Sequence, residues 1–215
     1  MPSALAMPEP RTHRRMRRLV TGDELLRHPE WGTCELINGE VIMLSPAGYI
    51  HGDTAMELGY IIKHFVQRKK LGKVYAAETG FYLRSDPDTI RAPDVMFIAR
   101  DRVPKTATRG YLRVVPDLAV EVHDPEDTIA SVDKAFSFLK AGVKLVWLVD
   151  PIGRQVMVLG PGKSQEMLRA DGVLVGGKVL PGFKLPLKKL WKSVNAPERP
   201  TFNEYGELIV PKKKK

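Results

Sequence analysis

Two acids stand inside or at the edge of apolar, β-branched runs, and that placement restricts this chain more than any other feature. Leu118-Ala119-Val120-Glu121-Val122-His123 reads as a buried strand carrying Glu121, and Ala92-Pro93-Asp94-Val95 opens another with Asp94 at its edge. An ionised carboxylate in such a run is expensive unless something cationic meets it. Strand side chains alternate, so Leu118, Val120 and Val122 share one face while Asp117, Ala119, Glu121 and His123 share the other. A helical segment over residues 128–141 follows, and then the apolar run 144–149, which reads as a second buried strand. Strand, helix and strand with short links predict a right-handed βαβ unit. Two acids on neighbouring strands point to a metal site.

The flanking elements follow from local signals. Thr21 with Glu24 three residues on forms a capping box that opens a short helix ending before Pro29. Residues 34–44 hold two apolar runs joined by Asn38-Gly39, the dipeptide that favours a two-residue hairpin because both turn positions need positive φ. A helix is expected over 51–70, with Ala55, Leu58, Ile62 and Phe65 as its core stripe and Gly72 ending it. Strands are expected at 73–77 and 80–84, and the Asp86-Pro87-Asp88 turn should lead directly to the strand opened by Asp94. Residues 100–115 read as a charged loop, 155–159 with 165–169 as another hairpin, and 187–191 as a last short helix. Asp150 before Pro151 reads as a turn residue.

With 215 residues the chain can bury a full core, and the simplest division is one domain over 19–191 between two tails, 1–18 and 192–215. Its net charge of +9 would ordinarily favour a nucleic-acid partner, but the first 18 residues carry five arginines against one glutamate and the last four are lysines. Taking those eight charges from the total leaves +1 for residues 19–211. The tails are expected to be disordered, either solvated ends or non-specific phosphate contacts. A single cysteine, Cys34, rules out an intrachain disulfide framework and a multi-cysteine metal site. No apolar run reaches the length needed to cross a bilayer, so no membrane role is expected and a soluble, cytoplasmic protein is.

The ordered series Cys34-Glu35-Leu36-Ile37-Asn38-Gly39-Glu40, His51 at a helix start, Ala92-Pro93-Asp94-Val95, residues 116–122, Lys134, and Ala141-Gly142-Val143 before Trp147-Leu148-Val149-Asp150-Pro151 resembles the Uma-two family. That family belongs to the PD-(D/E)XK nuclease superfamily, and the similarity spans about residues 19–191. The resemblance implies an α/β, restriction-endonuclease-like fold: a mixed β-sheet core flanked by α-helices, with peripheral hairpins. It implies a hydrolase that cuts DNA phosphodiester bonds with magnesium, manganese being the usual substitute. Asp94 takes the family's Pro-Asp position and Glu121 its second acid, the two hard oxygen ligands that such a metal needs. A homodimer is expected because two sites cut two strands more readily than one.

The resemblance departs from the superfamily at one position. Its usual Glu-x-Lys would put lysine two residues after Glu121, where this chain has His123. Lys134, on the following helix, is a position that this family also fills with lysine. On a helical wheel the polar face is Asp133, Ser137 and Lys140, while Lys134 falls between Ala130, Phe138 and Ala141. Its ammonium is thereby placed to reach the Glu121 side of the sheet and stabilise a pentacovalent phosphorane. Other readings stay open: Lys134 as a structural partner of Glu121, His123 as a base or a hydrogen-bonding strand end, Glu35 as an extra ligand, a water-holding acid or a hairpin acid. His51 and Glu78 carry weaker signals. The competing function is a nuclease-fold protein that binds nucleic acid or regulates without cutting.

Overall fold

The computed structural model describes residues 18–106, 109–123, 128–162, 165–194, 201–202 and 208–209. Helix α1 (Gly22–Leu25) is capped by Thr21, whose side chain accepts from Glu24 N. Strands β1 (Cys34–Ile37) and β2 (Glu40–Met43) form the hairpin, with Asn38 and Gly39 at φ 53° and 78° in its turn. Helix α2 (Tyr49–Lys69) is followed by β3 (Gly72–Ala76), β4 (Phe81–Arg84), β5 (Thr89–Arg91) and β6 (Val95–Ala99). Then come β7 (Leu118–Val122), α3 (Thr128–Lys140), β8 (Leu145–Asp150), β9 (Gln155–Leu159) and β10 (Gln165–Leu168). The chain closes with β11 (Val173–Val175), β12 (Lys184–Pro186), α4 (Leu187–Ser193), and the short antiparallel pair β13 (Thr201–Phe202) and β14 (Leu208–Ile209).

Two sheets organise ten of these strands, and β11 pairs with β12 apart from them. The larger runs β10-β9-β8-β7-β6-β3 and is mixed: β7 and β8 pair in parallel across α3, and the other neighbours are antiparallel. The smaller runs β2-β1-β5-β4 and is antiparallel. On one face of the large sheet, α2 and α4 cover Val95, Phe97, Leu118, Val120 and Trp147. On the other, Ala135 and Phe138 of α3 meet Met96, Ala119, Val146 and Phe81 of β4. A strand covered on both faces has to be apolar on both, which is why β7 and β8 read as continuous hydrophobic runs. The mixed sheet with helices on both faces agrees with the expected α/β fold.

Several expectations need correction. Helix α2 begins at Tyr49, and its buried stripe is Thr54, Leu58, Ile62 and Val66, a strict four-residue step that leaves Ala55 and Phe65 half-buried. It ends with Lys70 in the left-handed region, ahead of Gly72. Gly72 instead opens β3, where a Cβ would stand 2.0 Å from Ile98 O on β6. Strand β5 intervenes before Asp94, and its three residues are too few to show alternation in the sequence. The expected charged loop contains a 3₁₀ turn over Arg100–Arg102, and its Leu112 bridges Phe81. Ser137, assigned to the polar face of α3, is half-buried, and Ala130 is exposed. Helix α4 runs on to Ser193, and Val194 is buried in the core. Of the expected tails, 1–18 and 192–215, residues 1–17, 195–200, 203–207 and 210–215 lie outside the described residues, while Arg18 pairs with Glu24 at 2.8 Å. Among the described residues, no helix is long and apolar enough to cross a membrane.

One buried acid is fully compensated. Asp117, at the start of β7, accepts from Ala99 N at 2.8 Å and pairs with Arg102 at 2.7 Å and Lys144 at 2.8 Å. Burial alone would raise its carboxyl, but Lys144, Ala99 N and Arg102 together hold it below 3.8. An acid whose folded pKa is depressed stabilises the fold above its unfolded pKa, and that contribution is lost as pH falls through the folded value. Asp117→Asn is expected to cost about 2 kcal/mol at pH 7. Urea unfolding at a series of pH values should show the gap from wild type closing below about pH 4. A gap that persists at lower pH would mean that Asp117 acts through shape and not charge.

Candidate active site

The site is built where β6 ends and β7 runs on. Val95 pairs with Val120, which puts Pro93 opposite Val122 in the same register. The β6–β7 ladder stops at Val95 and Val120, so the N–H of Val122 takes its partner from outside it. Asp94 supplies it: Val122 N donates to Asp94 Oδ2 at 2.7 Å. The same oxygen lies 3.3 Å from His51 Nε2, in the first turn of α2. Asp94 is thereby tied to both β7 and α2.

Glu121 points to the α3 face of β7, as the alternation requires, and is 6% exposed. Its Oε1 is 2.6 Å from Lys134 Nζ, and its buried Oε2 has no hydrogen-bond partner among the described residues. Lys134 also lies 3.1 Å from Glu35 Oε1. Glu35 is itself anchored in the small sheet, accepting from Ala92 N at 3.2 Å and pairing with Arg91 Nε at 2.9 Å. Arg91 Nη1 reaches onward to Ser137 Oγ on α3 at 3.2 Å. One ammonium thus joins an acid of the small sheet to an acid of the large one.

The electrostatics follow from the census of charges. Three carboxylates, Glu35, Asp94 and Glu121, face two permanent cations, Arg91 and Lys134, with the His51 imidazole able to take a proton. Burial is the largest influence on Glu121; together with Asp94 and Glu35 it outweighs the pull of Lys134 and leaves the carboxyl raised from 4.5 to about 8. For Lys134, burial works against the charged form, but Glu121 and then Glu35 more than offset it and raise its pKa. The cluster is short of positive charge. Either a proton or a cation fills the deficit.

Of the residues singled out from the sequence, Asp94, Glu121, Lys134 and Glu35 come together. His123 is buried at the end of β7, with Nε2 3.4 Å from Thr128 Oγ1 and Nδ1 unpartnered among the described residues. It forms no ion pair with the acid cluster among the described residues. Glu78 is exposed in the turn after β3 with φ 65°, and Asp150 accepts from Gly153 N and Gln155 Nε2 in a turn. Sequence reasoning missed Arg91 altogether. The signal was there in principle, because a buried Glu35 demands a cation and Arg91 stands three residues before Asp94. Among the described residues no group of three His, Cys, Asp or Glu side chains is gathered at metal-ligating range.

Comparison with known proteins agrees with this architecture. The Uma2 family profile, described as putative restriction endonuclease, matches residues 23–188. The chain is also similar to a crystal structure described as a putative nuclease belonging to DUF820 from Anabaena variabilis ATCC 29413. That protein is 24% identical, the match covers 81% of this chain and 99% of the other, and the TM-score is 0.68. At that identity the likeness speaks for the fold. No curated protein matches the chain.

Lys134→Met strands two buried acids without their shared cation, and it is expected to cost about 3 kcal/mol at pH 8.5. An acid with a raised folded pKa destabilises progressively as pH climbs from its unfolded value through its folded one. The deficit should therefore be smaller at pH 5, where protonated Glu121 no longer needs the ammonium. Urea unfolding of both proteins at the two pH values checks this; an equal deficit at both would detach Glu121 from Lys134.

Proposed function

The chain belongs to the Uma2 family of putative restriction endonucleases, and on that premise we propose that it is a divalent-cation-dependent endonuclease hydrolysing DNA phosphodiester bonds. The observation that carries this reading is the buried Oε2 of Glu121, unpartnered among the described residues, beside Asp94 in a cluster short of positive charge. Two hard carboxylates fit magnesium, which is often held by only one or two acids with waters and substrate phosphate completing its shell. Asp94 and Glu121 would hold Mg²⁺, or Mn²⁺ in its place, and the cation would polarise the scissile phosphate and acidify the attacking water.

The chain's own residues have separate tasks in this reading. Lys134, kept protonated by its acid neighbours, offers its ammonium to the negative charge that grows on phosphorus oxygens in the transition state. Glu35 and Arg91 hold that ammonium in place, so Glu35 acts as a positioning residue here and not as a ligand. His51 and Val122 N orient the Asp94 carboxylate. His123 stays outside the chemistry, its ring directed to the start of α3. A homodimer would let two such sites cut opposite strands.

A second reading has a specific observation behind it. The 2.6 Å Lys134–Glu121 approach is also what a closed structural ion pair would look like, and a protein of this kind would bind nucleic acid without cutting. Plasmid nicking with Mg²⁺ or Mn²⁺, together with Mn²⁺ titration calorimetry, separates the two. Asp94→Asn and Glu121→Gln are expected to abolish both nicking and metal binding. Lys134→Ala should lower the single-turnover rate by about two orders of magnitude, with metal binding little changed. His123→Ala should leave the rate near that of wild type. Wild-type protein that binds no metal and nicks no DNA would give the site to the binding protein.

A further inference from the structure

The near-neutral charge of residues 19–211 conceals a strong segregation. Residues 58–77 carry Lys63, Arg68, Lys69, Lys70 and Lys73 and no acid; residues 172–194 carry Lys178, Lys184, Lys188, Lys189 and Lys192 and no acid. All ten side chains are exposed. Since residues 19–211 sum to +1, removing these ten cations leaves −9 for the rest. The two segments are also neighbours in space. Helix α4 packs on α2, and Phe65 of α2 meets Phe183 edge-on at 5.2 Å between ring centres. Arg68 and Lys69 follow Phe65 by one helical turn, on the side of α2 that faces Phe183, and Lys184 is the next residue along. On α4 the apolar residues Leu187, Leu190, Trp191 and Val194 are buried, which turns Lys188, Lys189 and Lys192 outward.

None of the ten cations forms an ion pair with a described residue, whereas Arg91, Arg102, Lys134 and Lys144 are all paired. Asp101 and Asp171 stand at the edges of the strip, placed by the Arg100 N to Leu71 O and Leu187 N to Gly172 O hydrogen bonds. Ten exposed cations on two segments packed against each other repel one another, so a polyanion is what they complement. The apolar residues of α4 are directed into the core and leave no large side chain among its lysines to enter a bilayer. A regular row of phosphates fits better.

We propose that the strip formed by the C-terminal half of α2 and the outer face of α4 is a binding surface for the phosphate backbone of nucleic acid, separate from the acid cluster. His51 and Lys69 are 18 residues apart on α2, about 27 Å along the helix axis at 1.5 Å per residue. Binding at the strip and chemistry at Asp94 and Glu121 are therefore separable. The choice of nucleic acid as the polyanion rests on the proposed nuclease function.

The test is made on the full chain carrying Arg68→Gln, Lys69→Gln, Lys188→Gln, Lys189→Gln and Lys192→Gln. Affinity for a 30-base-pair duplex is measured by fluorescence anisotropy in EDTA over a range of salt, so that no cleavage is needed. The slope of log affinity against log salt should flatten by about 0.9 for each phosphate that is no longer neutralised, or several units for the five substitutions. Thermal unfolding and the cleavage rate at saturating duplex should stay unchanged. An unchanged slope in a folded variant overturns the proposal, and so does a loss confined to binding of phosphatidylglycerol vesicles. If the slope flattens while the wild type shows no cleavage under any metal, the strip stands and the nuclease reading falls. Normal cleavage with an unchanged slope gives the reverse.

Discussion

The ammonium of Lys134, held between Glu121 and Glu35, is the interaction on which the rest of the site depends. Glu121 belongs to the large sheet, Glu35 to the small one, and Lys134 to the helix that crosses between β7 and β8. Without that shared cation two acids would be buried with too little positive charge nearby, and the two sheets would lose an electrostatic link at the point where they approach. Arg91 reinforces the link by bridging Glu35 to Ser137 on the same helix.

The two ends of β7 show how the same residue class serves opposite ends. Asp117 has a backbone donor and two cations, and each of its oxygens is satisfied, so it is a structural acid with a lowered pKa. Glu121, four residues on, shares one cation, keeps an oxygen unpartnered among the described residues and has a raised pKa. A buried acid that is fully satisfied has no capacity left for a ligand, whereas one held short of positive charge invites a proton or a metal. Under the proposed function, that shortage is what makes Glu121 useful.

An acidic cluster repels the polyanion that it is proposed to cut. The exposed cations of α2 and α4 lie on elements that cover the opposite face of the large sheet from α3, and under the proposal they would supply the attraction that the site itself lacks. Separating attraction from chemistry lets each be tuned by its own residues. Helix α2 connects the two regions, with His51 against Asp94 at one end and basic residues at the other.

Much of the fold is legible in the chain because the signals are local or periodic. The Asn-Gly turn, the Thr21 cap, the two-face apolar runs of β7 and β8 and the side of α3 that carries Lys134 all follow from backbone preference and a period of 2 or 3.6. By itself the sequence also determined that Glu121 points away from Val120 and Val122, and that charge is concentrated in runs. Only the tertiary structure decided which groups meet. It brought Arg91 from a three-residue strand to Glu35, placed His51 against Asp94, turned Ser137 inward, directed His123 to Thr128, and packed together the two distant segments that carry the exposed cations. Those pairings join residues tens of positions apart, where no periodicity operates, and they are selected by the cost of leaving a buried charge or N–H without a partner once the sheets have packed.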